Sequence, residues 1–111
     1  MLEFLFGNVV IEKILFFLLK HQSSYASELR LTFGTPLYSF QKALDRLERG
    51  GIIVSHCVGK VRMYQFNPRF PMLDELKNFL ESSYRFLPEE TKKTYYEIPN
   101  RKRPRRRGKP G

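Results

Sequence analysis

ASELRLTFGTPLYSFQKALDRLER, residues 26–49, holds two helical segments separated by Gly34-Thr35-Pro36. Glycine tolerates the left-handed backbone that ends many helices, threonine is a good N-cap, and proline fits the first helical position, where its missing N–H costs nothing. The spacing of apolar residues predicts a short helix from Tyr25 to about Thr32 and a second helix over Thr35–Arg49. Two helices joined by such a turn form a helix-turn-helix.

A β-hairpin is predicted directly after the second of these helices. Two β-type runs, Ile52–Cys57 and Val61–Phe66, are separated by Val58-Gly59-Lys60, which places a glycine at the turn. Longer helices are predicted on either side of this unit, from Val9 to about Lys20 and from about Pro71 to Leu87. The expected fold class is therefore mainly α with a β-hairpin, a winged helix-turn-helix in the order α-α-α-β-β-α.

The first and last of these helices are rich in apolar residues. The helix over Val9–Lys20, with Asn8 as its predicted cap, is apolar almost all round, and such a helix is normally buried on two sides. In so small a chain we expect the second side to face a partner subunit, so that the protein is a homodimer. The expected interface residues are Leu5, Phe6, Phe16, Phe17, Leu73, Leu76, Leu80 and Leu87.

The net charge of +9 is unevenly distributed along the 111 residues. Residues 101–111 hold seven of the 20 Lys and Arg and no acid, which leaves 13 basic against 11 acidic residues in the first 100. We therefore expect a winged-helix domain over residues 1–96 and a basic tail, disordered or extended, over residues 97–111. Any nucleic-acid footprint on the domain itself must come from local clustering of charge.

Four segments occur in the order typical of one family of regulators. They are Tyr25-Ala26-Ser27-Glu28-Leu29, Phe40-Gln41-Lys42-Ala43-Leu44-Asp45-Arg46-Leu47-Glu48, Gly51-Ile52-Ile53-Val54 and Gly59-Lys60-Val61-Arg62-Met63-Tyr64-Gln65-Phe66-Asn67-Pro68. Over roughly residues 8 to 87 the chain resembles the ArsR-like winged-helix transcriptional regulators of bacteria and archaea. The resemblance implies a dimeric regulator, most simply a repressor, that binds double-stranded DNA and pairs through its first and last helices.

The same resemblance gives no support to metal sensing. Metal-sensing members of the family place a Cys-x-Cys pair in the helix that corresponds to Tyr25–Thr32. Here the equivalent stretch, Glu28-Leu29-Arg30-Leu31-Thr32, has neither Cys nor His.

The second helix of the helix-turn-helix is the expected DNA-reading element. With Leu37, Phe40, Leu44 and Leu47 facing inward, its outer face carries groups that suit base edges: Gln pairs with adenine, Lys and Arg with guanine, and Ser with either. Tyrosine can stack on sugar or touch a thymine methyl, and the N-terminal end suits a phosphate. A solvated helix face would show the same residue types. The candidate DNA-binding residues of this helix are Thr35, Tyr38, Ser39, Gln41, Lys42 and Arg46.

The hairpin supplies a second set of candidate contacts. Lys60 and Arg62 lie at the predicted tip and His56 on the facing strand, where they would contact the DNA backbone or the minor groove. The alternative is ordinary protection of an exposed strand edge, because charge there blocks aggregation.

The tail supplies the third set of candidates. Its end, Arg107-Gly108-Lys109-Pro110, nearly matches the Arg-Gly-Arg-Pro core of an AT-hook, which lies in a narrow minor groove; a nonspecific basic tail for DNA or RNA is the alternative. The candidate DNA-binding residues of the tail are Arg101, Lys102, Arg103, Arg105, Arg106, Arg107 and Lys109.

No pattern in the sequence indicates an enzyme, a cofactor or a metal site. His56 adjoins Cys57, but neighbours on a strand point to opposite faces, so we expect Cys57 in the core and His56 on the wing. The single cysteine excludes an intramolecular disulfide and fits a reducing compartment. The longest apolar run, Ile14–Leu19, is far shorter than the ~20 residues that a membrane span needs. We expect a cytoplasmic, nucleoid-associated protein of a bacterium or archaeon, with no membrane partner and no evident small-molecule effector.

Two other functions fit the same pattern. A winged helix with a nearly neutral surface can bind protein, as an adaptor or an antitoxin-like partner. A nonspecific architectural DNA binder would depend mainly on its basic tail.

Overall fold

A computed structural model of the chain describes residues 1–98. In chain order the elements are α1 (Glu3–Phe6), α2 (Val9–His21), α3 (Ala26–Phe33), α4 (Leu37–Arg49), β1 (Ile53–Val58), β2 (Val61–Phe66), α5 (Leu73–Tyr84), α6 (Glu89–Thr91) and a π-helical turn, Lys92–Tyr96. Helix, helix-turn-helix, hairpin and helix follow one another as predicted, so the winged-helix fold is confirmed.

Helix α2 forms the centre of the core. The side chain of Asn8 accepts a hydrogen bond from the backbone N–H of Ile11 at 2.9 Å, which confirms the predicted cap. Helices α4 and α5 pack against α2, and α4 turns Phe40, Leu44 and Leu47 inward, each at most 4% exposed. The apolar spacing of the sequence therefore predicts the buried face of α4 correctly.

The turn between α3 and α4 differs from the prediction by one or two residues. Gly34 ends α3 with φ +74° and donates its N–H to the carbonyl of Arg30 at 2.8 Å, as expected for a glycine at this position. Pro36, rather than Thr35, occupies the cap position of α4, which begins at Leu37. Thr35 makes no cap bond; its hydroxyl is within hydrogen-bonding distance of Lys13 Nζ instead, at 3.2 Å.

Strands β1 and β2 form an antiparallel hairpin, the wing, with Ile53 opposite Phe66 and Val58 opposite Val61. Gly59 makes the turn with φ +64°, a conformation that favours glycine. Cys57 is exposed near the tip, so its expected place in the core is wrong. Near its tip the hairpin extends beyond the hydrophobic core, so side chains on both of its faces are exposed to solvent there.

Ser24 joins the wing to the base of α3. Its backbone pairs with Tyr64 in both directions, at 3.1 and 2.8 Å, so it acts as a short third strand. Its hydroxyl donates to Oε1 of buried Glu28 at 2.8 Å. Tyr25, with an extended backbone, takes the N-cap position of α3.

The chain after α5 folds back and covers the side of α2 that we expected a partner subunit to cover. Phe16 of α2 makes edge-to-face contacts with Tyr84 and Tyr96, with ring centroids 5.8 and 5.7 Å apart. Phe17 is enclosed by Phe33, whose ring centroid is 6.1 Å away. The apolar residues all round α2 are therefore explained by packing within the same chain, against the other helices and the C-terminal segment.

This packing corrects half of the expected dimer interface. Four of its residues are core residues of the single chain and have no surface left for a partner: Phe16, Phe17, Leu80 and Leu87. The other four remain accessible, with Leu5 exposed and three half-buried: Phe6, Leu73 and Leu76. Over residues 1–98, no helix is both long and apolar enough to cross a membrane.

Candidate nucleic-acid interface

The outer face of α4 carries exposed polar and charged side chains. Tyr38 is 69% exposed, and Gln41, Lys42 and Arg46 are also exposed. The buried face of the same helix is locked in the core, so these side chains are presented on a rigid support. Ser39 is only half-buried, as is the threonine before the helix.

Lys42 and Tyr38 lie one helical turn apart and contact each other. Lys42 Nζ lies 5.8 Å from the centroid of the Tyr38 ring, a cation–π arrangement. At an exposed site such a contact contributes about 0.5–1 kcal/mol, so it orders the ammonium group without holding it firmly. Among the residues that the structure describes, no carboxylate forms an ion pair with Lys42 or Arg46. Both cations are therefore available to an anionic partner.

The C-terminal half of α4 carries acids that neutralise its remaining cation. Arg49 Nε pairs with Asp45 Oδ2 at 3.0 Å, with both side chains well exposed. This leaves Lys42, in the second turn, and Arg46, in the third, as the cations of α4 that form no ion pair within residues 1–98. Reading helices usually contact bases from their N-terminal turns, which here carry Tyr38, Gln41 and Lys42.

A hydrogen-bonded chain ties the wing to α4. Arg62 Nη1 donates to Ser55 Oγ at 2.8 Å, and Ser55 donates to Glu48 Oε2 at 2.7 Å. Arg62, a candidate DNA contact, is therefore held across the hairpin and aligned with α4. Sequence reasoning missed Ser55 and Glu48 as its partners because the pairing depends on the hairpin register and on where the wing rests.

An open cleft of about 550 Å³ separates α4 from the wing. Gln41 and Asp45 line it from α4, and Lys60 and Arg62 line it from the wing tip and β2. Tyr64 also lines it, and burial, followed by the nearby carboxylate of Glu48, raises the pKa of this phenol, so it stays neutral at physiological pH. The cleft brings predicted helix and wing residues to one surface.

His56 is not part of that surface. It lies exposed on β1, opposite Met63, and does not line the cleft. Lys13 is a basic residue that sequence reasoning missed: it extends from α2 to the start of α4, with its Nζ 5.4 Å from the Phe33 ring centroid. Only the packing of α2 against the helix-turn-helix turn reveals it.

The tail candidates lie outside the described residues 1–98, and their positions are given by the sequence alone: Arg101, Lys102, Arg103, Arg105, Arg106, Arg107 and Lys109. Within residues 1–98, no group of three or more His, Cys, Asp or Glu side chains is placed to hold a metal ion.

Comparison with known proteins gives only distant likenesses. No family model matches the chain. No curated protein matches it either. Three solved structures of ZitR from Lactococcus lactis are similar in fold. A double mutant in apo form is 18% identical, with 82% of this chain and 78% of that chain covered and a TM-score of 0.49.

Two further ZitR structures give similar values. The double mutant in a second structure is 19% identical, over 74% of this chain and 64% of that chain, with a TM-score of 0.48. A single mutant is 18% identical, over 77% and 66%, with a TM-score of 0.49. The winged-helix assignment rests on the element order and packing described above, not on this likeness.

Proposed function

We propose that the protein is a winged-helix transcriptional regulator that reads double-stranded DNA with the outer face of α4. One observation carries the proposal: Tyr38, Gln41 and Lys42 are exposed together on the first turns of α4, while the opposite face of that helix is locked in the core. A helix held in this way can enter a major groove without rearrangement.

Each exposed group has a chemical role in this proposal. Gln41 would form paired hydrogen bonds with adenine, and Lys42 and Arg46 would donate to guanine. Tyr38 would pack on sugar or on a thymine methyl once Lys42 leaves its ring. Thr35 would lie beside a phosphate together with Lys13, which already contacts its hydroxyl.

The wing would hold the adjacent backbone. Lys60 and Arg62 face α4 across the open cleft, and a phosphate strand passing beside the wing would meet these two cations, with Gln41 and the Asp45 carboxylate on the α4 side. His56 is exposed but does not line this cleft, so a DNA contact made by His56 would lie at the outer edge of the hairpin. The tail cations would add salt-dependent affinity by displacing counterions.

We further propose that the regulator is a homodimer, paired through α1 and α5. Large apolar side chains remain exposed on and beside these elements: Phe4 is 95% exposed, Leu5 65%, Met72 59% and Phe86 80%. A dimer would place two α4 helices on half-sites about one helical turn apart. This interface uses other residues in place of those expected interface residues that are buried in the core of the single chain: Phe16, Phe17, Leu80 and Leu87.

Selection of bound sequences from a random duplex pool tests the main proposal. The full-length chain should enrich a defined sequence, and Gln41→Ala should relax the choice at one base position. Lys42→Ala with Arg46→Ala should weaken binding, whereas Lys77→Ala with Arg69→Ala, which removes the same charge from exposed residues outside α4, should not. No enrichment, together with unchanged affinity for the double variant, would reject α4 as the reading element.

A protein-binding module is the second candidate function. The observation that favours it is the near balance of charge in the first 100 residues, with 13 basic and 11 acidic side chains. In that case the α4 face would hold a polypeptide, and the full-length chain would bind random duplex DNA only through its tail. The same selection would then return no defined sequence, or only the A·T preference that an AT-hook in the tail can give.

A further inference from the structure

An open cavity of about 340 Å³ lies where the end of α2, the base of the wing and α5 meet, and no residue of α4 lines it. Leu18 and Phe66 form its apolar wall. Polar side chains from all three elements complete the lining: Gln22, Gln65, Lys77 and Glu81. Small-molecule sites commonly combine apolar walls with a few polar groups, and their volumes begin at about 300 Å³. The cavity therefore has the size and lining of a site for a small metabolite.

The four polar side chains of this cavity have no polar partner within residues 1–98: none forms a side-chain hydrogen bond or an ion pair there. Lys77 and Glu81 are four residues apart on α5, a spacing at which opposite charges often pair. Instead, Lys77 Nζ lies 5.6 Å from the centroid of the Phe66 ring, beside the apolar wall. An ammonium and a carboxylate are thus both available to a molecule in the cavity.

Gln22 has a backbone conformation that is unusual for its residue type. It follows the last residue of α2 with φ +73°, and no other non-glycine residue within residues 1–98 has a positive φ. Its N–H donates to the carbonyl of Leu18 at 2.8 Å, a bond that glycine makes at the end of many helices. Glycine would adopt this conformation without strain, and strained residues of this kind cluster at ligand sites. The glutamine therefore places an amide at the cavity at a cost in backbone energy.

We propose that this cavity binds a free α-amino acid with an apolar side chain. The Lys77 ammonium would bind the carboxylate of the ligand, and the Glu81 carboxylate would bind its ammonium group. The amides of Gln22 and Gln65 both donate and accept, so they suit either end of the same molecule. A zwitterion is favoured over a simple anion or cation because it satisfies both charges of the cavity. The side chain of the ligand would lie against the apolar wall.

The experiment titrates the full-length chain with L-leucine and L-phenylalanine, as aliphatic and aromatic probes, by isothermal titration calorimetry. Two analogues of each probe lack one charge: isoamylamine and isocaproate for leucine, phenethylamine and hydrocinnamate for phenylalanine. Thermal melting with each compound at millimolar concentration is a second readout, because a ligand that binds only the folded state raises the melting temperature. Since no DNA is present, the result does not depend on whether α4 reads DNA.

We expect at least one of the two amino acids to bind, and each of its analogues to bind roughly tenfold or more weakly, because each analogue lacks one hydrogen-bonded charge. Lys77→Gln should weaken binding of the amino acid and of the acid analogue, but not of the amine. Glu81→Gln should weaken binding of the amino acid and of the amine, but not of the acid analogue. Lys93→Gln and Glu90→Gln make the same changes at exposed residues outside the cavity and should leave binding unchanged.

Gln22→Gly separates a ligand contact from a role in the fold. Glycine adopts a positive φ freely, which offsets the greater flexibility that it gives the unfolded chain, so the melting temperature without ligand should change little. Loss of the amide should weaken binding of the amino acid roughly threefold to tenfold. A lower melting temperature with unchanged binding would assign Gln22 to the fold alone and overturn the site as proposed.

Three further results would overturn the proposal. The first is that neither amino acid gives a heat of binding or raises the melting temperature. The second is that an acid analogue binds as tightly as its amino acid, since the cavity would then be a site for anions. The third is that Lys77→Gln and Glu81→Gln both leave binding of the amino acid unchanged, since the ligand would then bind elsewhere.

Discussion

Ser24 and Glu28 form a buried polar pair at the junction of the wing and α3. The Ser24 hydroxyl donates to Glu28 Oε1 at 2.8 Å, and the two residues are 1% and 3% exposed. A buried acceptor that loses its donor bears the cost of its desolvation, about 1–3 kcal/mol and more when it is charged. The pair therefore stabilises the connection that positions the wing.

Ser24→Ala should lower the free energy of unfolding by about 1–3 kcal/mol, because it leaves the Glu28 carboxylate with one donor fewer. Urea unfolding followed by circular dichroism measures the loss. Ser27→Ala, at an exposed serine of the same helix, is the control and should change stability by less than about 0.5 kcal/mol. Equal stability of the two variants would contradict the role assigned to the pair.

Phe40→Ala should destabilise the fold by about 3–5 kcal/mol, because it opens a cavity where an aromatic ring is fully buried against α2 and α3. Differential scanning calorimetry gives the change in melting temperature. Tyr38→Ala, on the exposed face of the same helix, should leave the melting temperature nearly unchanged while weakening DNA binding. An unchanged melting temperature for Phe40→Ala would refute the inward orientation of this face.

Ser55→Ala should remove the hydrogen bond that holds Arg62 and, with it, the link through Ser55 to Glu48, with little loss of stability. A typical hydrogen bond contributes only about 0.5–1.5 kcal/mol net, and at this half-buried site water can replace the lost partner. If the contact aligns Arg62 for DNA, the dissociation rate of the complex should increase, and Arg62→Ala should increase it further. Surface plasmon resonance at low salt measures both rates; identical rates for all three proteins would remove Arg62 from the interface.

Leu5→Glu and Phe86→Glu should each convert the proposed dimer to a monomer, because a charge on an apolar interface is costly to bury. Sedimentation velocity at micromolar concentration shows the mass. Leu31→Glu, at a residue of α3 that is 61% exposed but lies outside α1 and α5, should leave the dimer intact. A monomeric mass for the unmodified chain would contradict pairing through these helices.

The protein should lose stability in alkali, and Tyr96 should contribute to the loss. Burial raises the pKa of Tyr96 above its ordinary value of 10.0, so the folded state retains the phenolic proton to a higher pH than the unfolded state does. The unfolded state therefore binds fewer protons above pH 10, and the free energy of unfolding falls there as pH rises. Below that value the contribution is complete.

Chemical unfolding between pH 9 and pH 11.5 measures this dependence. For a single group the slope reaches at most about 1.4 kcal/mol per pH unit, and Tyr96→Phe should reduce it. Tyr84, whose pKa is raised by burial and by its hydrogen bond to Glu97, continues to contribute. A slope that Tyr96→Phe leaves unchanged would show that the ring is more accessible than the fold implies.

Local sequence signals predicted the elements well but not what covers them. Asn8, Gly34 and Gly59 act through the backbone within a few residues, so the ends of helices and the wing turn could be read directly from the sequence. The burial of Phe16 could not, since its partners Tyr84 and Tyr96 follow it by some 70 to 80 residues. Helical spacing shows that a second apolar side exists, but it does not distinguish a partner subunit from the same chain.

The candidate site also has one part that the sequence predicts and another that depends on tertiary packing. The exposed face of α4 follows from helical periodicity, because burying Phe40 and Leu44 fixes which residues point outward. The link from Arg62 through Ser55 to Glu48 joins three elements and depends on strand register. Lys13 reaches α4 only because α2 packs beside it, and nothing in its neighbouring residues indicates that contact.

The pairing of Ser24 with Tyr64 also sets where the wing can bend. The backbone N–H and C=O of Tyr64 are both hydrogen-bonded to Ser24, so the part of the hairpin beyond Tyr64 can rotate about this residue. From Tyr64 to the turn at Gly59 the strand measures roughly 17 Å at the usual rise per residue. A rotation of about ten degrees at Tyr64 would move the tip of the hairpin by some 3 Å by this estimate, enough for Lys60 to follow a phosphate as groove width changes.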